Sequence, residues 1–258
     1  HLDWFEHYER AYFFLEKAPV FRDFYVGQLP GRPPLFNVTA FFFESVIGRE
    51  FWHFQLVATL LNYTSVLGVL GVTSILVKNK LPTLKYLLLV ISVLLLNPSF
   101  VIQVTFTWTK ELAAYYTLIG FYFYFRFRVS RLPINLYLSA LFLGAALLSH
   151  YSAVPYIIGI FCDALLQLAR QRQKIVKYYA YASGIFSLTV GAWYSWSIAK
   201  YGFYQTFLGN TAYEWLKELS VGEFAAKNVN IIGRTFLPFV THVQIIKEHL
   251  PELLRQRN

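Results

Sequence analysis

Two kinds of side chain in this sequence could do chemistry. Carboxylates crowd the first segment, His1-Leu2-Asp3-Trp4-Phe5-Glu6-His7-Tyr8-Glu9-Arg10-Ala11. A carboxylate such as Asp3 or Glu6 can take the proton of an attacking hydroxyl. Basic groups follow at Arg22, Arg32, Lys110 and His150, with Asp23 beside the first of them. Arginine's planar fork holds phosphate oxygens two at a time, and lysine and histidine add charge or donors where a phosphate leaves. Arg32, Lys110 and His150 fall at the outer ends of separate apolar segments or loops. That common depth is what a phosphate pocket requires. Arg22 and Asp23 are weaker members of the set. Plainer roles fit each group. Asp3 and Glu6 could be solvated loop carboxylates, and Arg32 a helix cap or a side chain snorkelling to lipid headgroups. Lys110 and Glu111 could form an interfacial pair, and His150 could hydrogen-bond a neighbouring helix.

The elements that must position these groups follow from composition. Of 258 residues, 56% are hydrophobic, 19% aromatic and 14% charged. Soluble domains average about 25% charged residues. With a mean hydropathy of +0.43, the chain is neither disordered nor an ordinary water-soluble globule. Runs free of Asp, Glu, Lys and Arg over 51–77, 86–109, 112–125, 132–162 and 178–199 predict six membrane-crossing helices, because Leu148–Pro155 splits 132–162 into one helix near 134–149 and another near 154–169. The second is interrupted by Asn97-Pro98. If these spans alternate, one side collects Lys78, Lys80, Lys85, Arg126, Arg128, Arg131, Arg170, Arg172, Lys174 and Lys177, with no acidic residue in those loops. The positive-inside rule assigns that side to the cytoplasm. The net charge of +9 thus reads as membrane topology rather than nucleic-acid binding.

The expected fold is all-α and polytopic, with about six transmembrane helices and interfacial helices in the outer loops. Residues 1–50 form the first outer loop, 51–199 the spanning domain and 200–258 an outer amphipathic stretch. Pro33-Pro34 opens a helix and Gly48 ends it. Ala212–Leu219 and Val243–Leu250 read as amphipathic helices. The sequons at Asn37 and Asn62 are chance matches, one beside the interfacial helix and one inside a span. Cys162 is alone, so no internal disulfide forms. With no methionine even at position 1, the sequence reads as processed or as a piece of a longer chain.

Three segments together resemble a known family. They are the acidic stretch after His1, Leu29-Pro30-Gly31-Arg32-Pro33-Pro34-Leu35-Phe36-Asn37, and Phe106-Thr107-Trp108-Thr109-Lys110-Glu111-Leu112-Ala113-Ala114-Tyr115. They resemble the outer loops of GT-C glycosyltransferases, closest to the protein mannosyltransferase and aminoarabinose transferase group, glycosyltransferase family 39. The resemblance covers roughly residues 1–200, and its motifs are loose. It implies one further span before His1, and a sugar transferred from a polyprenyl-phosphate donor to an acceptor hydroxyl on lipid, glycan or protein. The active site would lie on the outer face of the cytoplasmic (inner) membrane. The family's catalytic carboxylate matches Asp3. The family pattern of adjacent Asp-Glu is Asp3-Trp4 here, with Glu6 three residues on, so the base stays open between Asp3 and Glu6. The same two carboxylates could instead hold a divalent metal ion.

No Walker motif, Rossmann glycine pattern or Cys/His zinc cluster is present. Two other readings compete. A transporter or channel would place polar groups near mid-membrane, where these segments are apolar. A structural or haem-carrying subunit would rest on His53 and His150.

Overall fold

A computed structural model describes residues 3–16, 19, 21, 23–24, 27–77, 83–171, 175–207, 220, 222–223 and 226. The order is α1 (Asp3–Glu16), β1 (Asp23–Phe24), β2 (Gly27–Gln28), a 3₁₀ turn (Leu29–Gly31) and α2 (Leu35–Ile47). Next come α3 (Phe51–Tyr63), α4 (Ser65–Val77), α5 (Thr83–Leu95), α6 (Pro98–Thr105) and α7 (Lys110–Ser130). The last are α8 (Pro133–Ser149), a second 3₁₀ turn (Tyr151–Ala153), α9 (Val154–Gln171) and α10 (Val176–Phe207). The two short strands pair antiparallel, Asp23 with Gln28 and Phe24 with Gly27.

The expected segments are helical, but the described residues support two or three membrane-crossing helices rather than six. Among the described residues two helices are long and apolar enough to cross a bilayer, Phe51–Ile75 and Tyr151–Arg170. A third counts only if Leu84–Leu95 and Pro98–Thr105 are joined, and they are bent by 80°. The bend has a local cause. The Asn97 side chain accepts from the N–H groups of Ser99 and Phe100, and Pro98 opens the new helix. At 17 residues α8 is about 26 Å long, short of a hydrocarbon core of about 30 Å. α7 is long enough, but four tyrosines together with Lys110, Glu111, Arg126 and Arg128 make it too polar. α10 is interrupted at Gly202, where φ is +81°, and it runs through the expected boundary at 200 to Phe207. Ala212–Leu219 and Val243–Leu250 lie outside the described residues.

α7 is the centre of the bundle, packed between α4 and α8, with α10 on the far side of α8. Small residues let these helices approach closely. A Cβ at Gly120 would sit 2.8 Å from the Leu143 side chain, and one at Gly144 would sit 2.9 Å from Thr189. The first-loop segment packs onto this frame. Ala11, Phe36, Ala40, Phe54, Val57, Ala58 and Leu112 form one buried cluster joining α1, α2, α3 and α7. Phe13, Phe24 and Leu29 pack against Trp193, Trp196 and Tyr201 of α10. α2 begins after Pro34 and ends at Gly48, whose φ of +129° suits glycine. Its 13 residues reach about 20 Å, too short to span. Both sequon asparagines are buried, Asn37 at 2% and Asn62 at 0% exposure.

Candidate functional site

The site is built outward from α1. Glu6 and Arg10 are one turn apart and pair at 2.7 Å, both fully buried. Arg10 also donates to the carbonyls of Leu29 (2.8 Å) and Gln28 (3.3 Å), and its guanidinium lies 4.6 Å over the Phe24 ring. It therefore fixes the hairpin and the 3₁₀ turn against α1. That turn delivers Arg32, whose Nε lies 3.7 Å from Glu6 Oε1. The second oxygen of Glu6 is buried without a hydrogen-bond partner among the described residues.

Beside this cluster lies a pocket of about 110 Å³ lined by His7, Arg32, Trp108, Thr109, Lys110 and His150. Four stretches of chain meet there: α1, the turn before α2, the start of α7 and the junction of α8 with α9. Lys110 is the first residue of α7, and its Nζ sits 4.2 Å over the Trp108 ring. The N-terminus of α7 adds partial positive charge on the same side.

Hydrogen bonds fix the two imidazoles. His7 Nδ1 meets Asn37 Oδ1 at 3.3 Å. A carboxamide oxygen only accepts, so that nitrogen carries the proton and Nε2 is left as an acceptor. His150 Nδ1 accepts the Ser152 backbone N–H at 3.0 Å, so the proton of the neutral ring sits on Nε2. Burial first, then Arg32 and Arg10, pushes His7 down to about 3, against a bond to Asn37 that favours the charged form. Burial, then Lys110 and Arg32, pushes His150 down to about 4. Both rings are neutral at pH 7. One offers an acceptor and the other a donor, and Arg32 and Lys110 supply the full charges. The arrangement suits one oxyanion that also carries a proton or an adjacent hydroxyl.

Arg32, Lys110 and His150 are thus brought together. Glu6 stands behind Arg32, and Asp3 opens α1 one turn before Glu6. Asp23 is exposed on β1, and Arg22 lies outside the described residues. His7, Arg10, Asn37, Trp108 and Thr109 are not among the site residues expected from sequence. The Glu6-x-x-x-Arg10 spacing was a readable signal for a helical pair, and nothing local marks Asn37 as a partner of His7. Among the described residues no group of three or more His, Cys, Asp or Glu side chains could hold a metal. A divalent ion at Glu6 would face the guanidiniums of Arg10 and Arg32, so the described residues do not fit one there. His53 packs against Gly48 and is not among the residues lining the pocket. Comparison with protein-family models, with curated proteins and with solved structures finds no match.

Proposed function

We propose that the chain is a membrane glycosyltransferase that takes a sugar from a polyprenyl-phosphate donor to an acceptor hydroxyl. The observation that carries this reading is the meeting of Arg32, Lys110, His7 and His150 around one small pocket. The acceptor oxygen attacks the anomeric carbon as the carbon–oxygen bond to phosphate breaks. The bonding electrons leave with the phosphate, and the hydroxyl proton passes to a carboxylate. Arg32 and Lys110 stabilise the departing charge, with the His150 Nε2–H as a further donor. Glu6 is committed to Arg10 and Arg32, which makes it the group that positions the cations. Asp3, one turn nearer the start of α1, is then the base. The reaction belongs on the outer face of a cytoplasmic membrane, as the resemblance to GT-C enzymes implies.

The test is sugar transfer in proteoliposomes containing the native full-length protein, with a panel of radiolabelled polyprenyl-phosphate sugars. Asp3→Asn keeps the shape of the side chain and removes the base, and transfer should fall at least a hundredfold. Transfer retained in Asp3→Asn but lost in Glu6→Gln moves the base to Glu6. No transfer from any donor by the wild type overturns the reading, and solute flux into the same vesicles would then favour a transporter.

A further inference from the structure

The second cavity of interest lies at the opposite end of the bundle. α9 stands away from α8 and α10. It meets the rest of the chain chiefly at its start, through the second 3₁₀ turn, and at α7. Tyr151 of that turn donates to the carbonyls of Thr206 (3.2 Å) and Pro30 (3.3 Å). Farther along, Asp163 accepts from Tyr124 at 2.5 Å and pairs with Arg128, both on α7. A Cβ at Gly159, between these two ties, would meet nothing within 4 Å.

The space left is a groove of about 360 Å³. Its walls are Ala140 and Leu143 of α8, Ile157 and Phe161 of α9, and Ala182 and Phe186 of α10. Tyr124 and Tyr179 line it as well. α9 belongs to Tyr151–Arg170, one of the two stretches able to cross a bilayer, so the groove opens at the depth of lipid chains. Most of its lining is apolar, and a hydrocarbon chain seated there makes dispersion contacts that an open groove leaves unmade.

The rim selects the headgroup. Tyr179 packs edge-on to Phe127 with ring centres 5.8 Å apart, and the Arg131 guanidinium lies 5.9 Å over that Phe127 ring. Lys177 follows on the first turn of α10, over Tyr178 at 5.2 Å. Arg126 and Arg170 share this end, where the only acidic residue between Glu111 and Glu214 is Asp163, already paired with Arg128. Basic residues at the end of a groove beside a membrane-crossing helix match an anionic headgroup.

We infer that the groove between α8, α9 and α10 binds an anionic phospholipid, with one acyl chain against Leu143, Phe161 and Phe186 and its phosphate at Arg131 and Lys177. The sugar carrier is a different ligand. Its pocket reaches His150, at the far end of α8, which is about 26 Å long. The inference stands independently of sugar transfer.

Native mass spectrometry of the detergent-purified protein, titrated with phosphatidylglycerol or phosphatidylcholine of the same chains, tests it. One phosphatidylglycerol should be retained per chain, about tenfold more tightly than phosphatidylcholine. Arg131→Gln with Lys177→Gln changes two exposed residues and should bring the two lipids within about twofold of each other. Ser183→Trp fills the groove from an exposed position and should abolish retention of both lipids. Far-UV circular dichroism and elution volume confirm that each variant is folded. Equal retention of the two lipids, a phosphatidylglycerol preference that survives Arg131→Gln with Lys177→Gln, or full retention in Ser183→Trp overturns the proposal. So does a lipid-free dimer that Ser183→Trp dissociates, because a second copy would then occupy the groove.

Discussion

Each end of the bundle holds a carboxylate–arginine pair, and the two pairs live in different solvents. Glu6 and Arg10 are completely buried, whereas the side chains of Arg128 and Asp163 are 34% and 36% exposed. Burying two charges costs several kcal/mol per ion before their attraction is counted. The Glu6–Arg10 pair is therefore a weak source of stability and a strong source of geometry. Arg10 holds the Leu29 and Gln28 carbonyls, and Glu6 holds Arg10 while standing 3.7 Å from Arg32. The Arg128–Asp163 pair ties α9 to α7 at an exposed edge, where water and salt weaken it. The same chemistry sets a site at one end and fastens a helix at the other.

Breaking the buried pair should have the largest effect. Arg10→Met leaves the buried Glu6 with only the longer 3.7 Å contact to Arg32 and should cost about 3 kcal/mol in reversible unfolding. Adding Glu6→Met to it should restore most of that loss. A double variant no more stable than Arg10→Met would show that Arg10 acts through its two carbonyl bonds rather than through Glu6.

His7 belongs to the same buried end, and its burial should appear as a dependence on pH. Its folded-state value of about 3 lies below the unfolded value of 6.5. The unfolded chain therefore binds the extra proton, and stability falls as pH drops from 6.5 towards 3. The slope is about 1.4 kcal/mol per pH unit, roughly 3 kcal/mol by pH 4. His7→Gln should flatten that part of the profile. An unchanged acid limb would mean that other groups set it.

Glu44 sharpens the comparison as a buried acid with no paired cation among the described residues. It is 1% exposed, and neither carboxyl oxygen has a hydrogen-bond partner among the described residues. Burial pushes its carboxyl up to about 7. The folded state then holds a proton that the unfolded chain releases near 4.5, so stability falls as pH rises from 4.5 to 7. Glu44→Gln should stabilise the protein by about 3 kcal/mol at pH 8 and change little at pH 4. Equal effects at both pH values would contradict an unpaired, titrating Glu44.

The smallest effect belongs to the exposed pair. Asp163→Asn keeps an acceptor for Tyr124 and should cost about 1 kcal/mol or less, with the difference shrinking in high salt. A loss as large as that of Arg10→Met would erase the distinction between the two ends.

The sequence announced helices wherever the charge-free runs lay, because that signal is compositional and local. It showed the interruption at Asn97-Pro98 but not its 80° angle, which depends on how the Asn97 cap and the neighbouring helices orient α6. It overstated the spans, since Tyr115, Tyr116, Tyr122 and Tyr124 pass a filter for charge while making α7 polar. Arg32, Lys110 and His150 were legible as basic groups at one depth. His7 and Asn37 were not, because they meet across 30 residues only when α2 packs on α1. The Glu6–Arg10 spacing is a local signal, but the carbonyls of Gln28 and Leu29 that Arg10 also holds come from a hairpin 18 and 19 residues away.

The most direct measurement of the central claim is binding of a polyprenyl monophosphate to the purified protein by titration calorimetry at pH 7. The wild type should bind one equivalent. Arg32→Gln and Lys110→Gln should each weaken binding at least tenfold, while Arg126→Gln at the other end leaves it unchanged. Equal affinity in the wild type, Arg32→Gln and Lys110→Gln would contradict the assignment of this pocket to the donor phosphate.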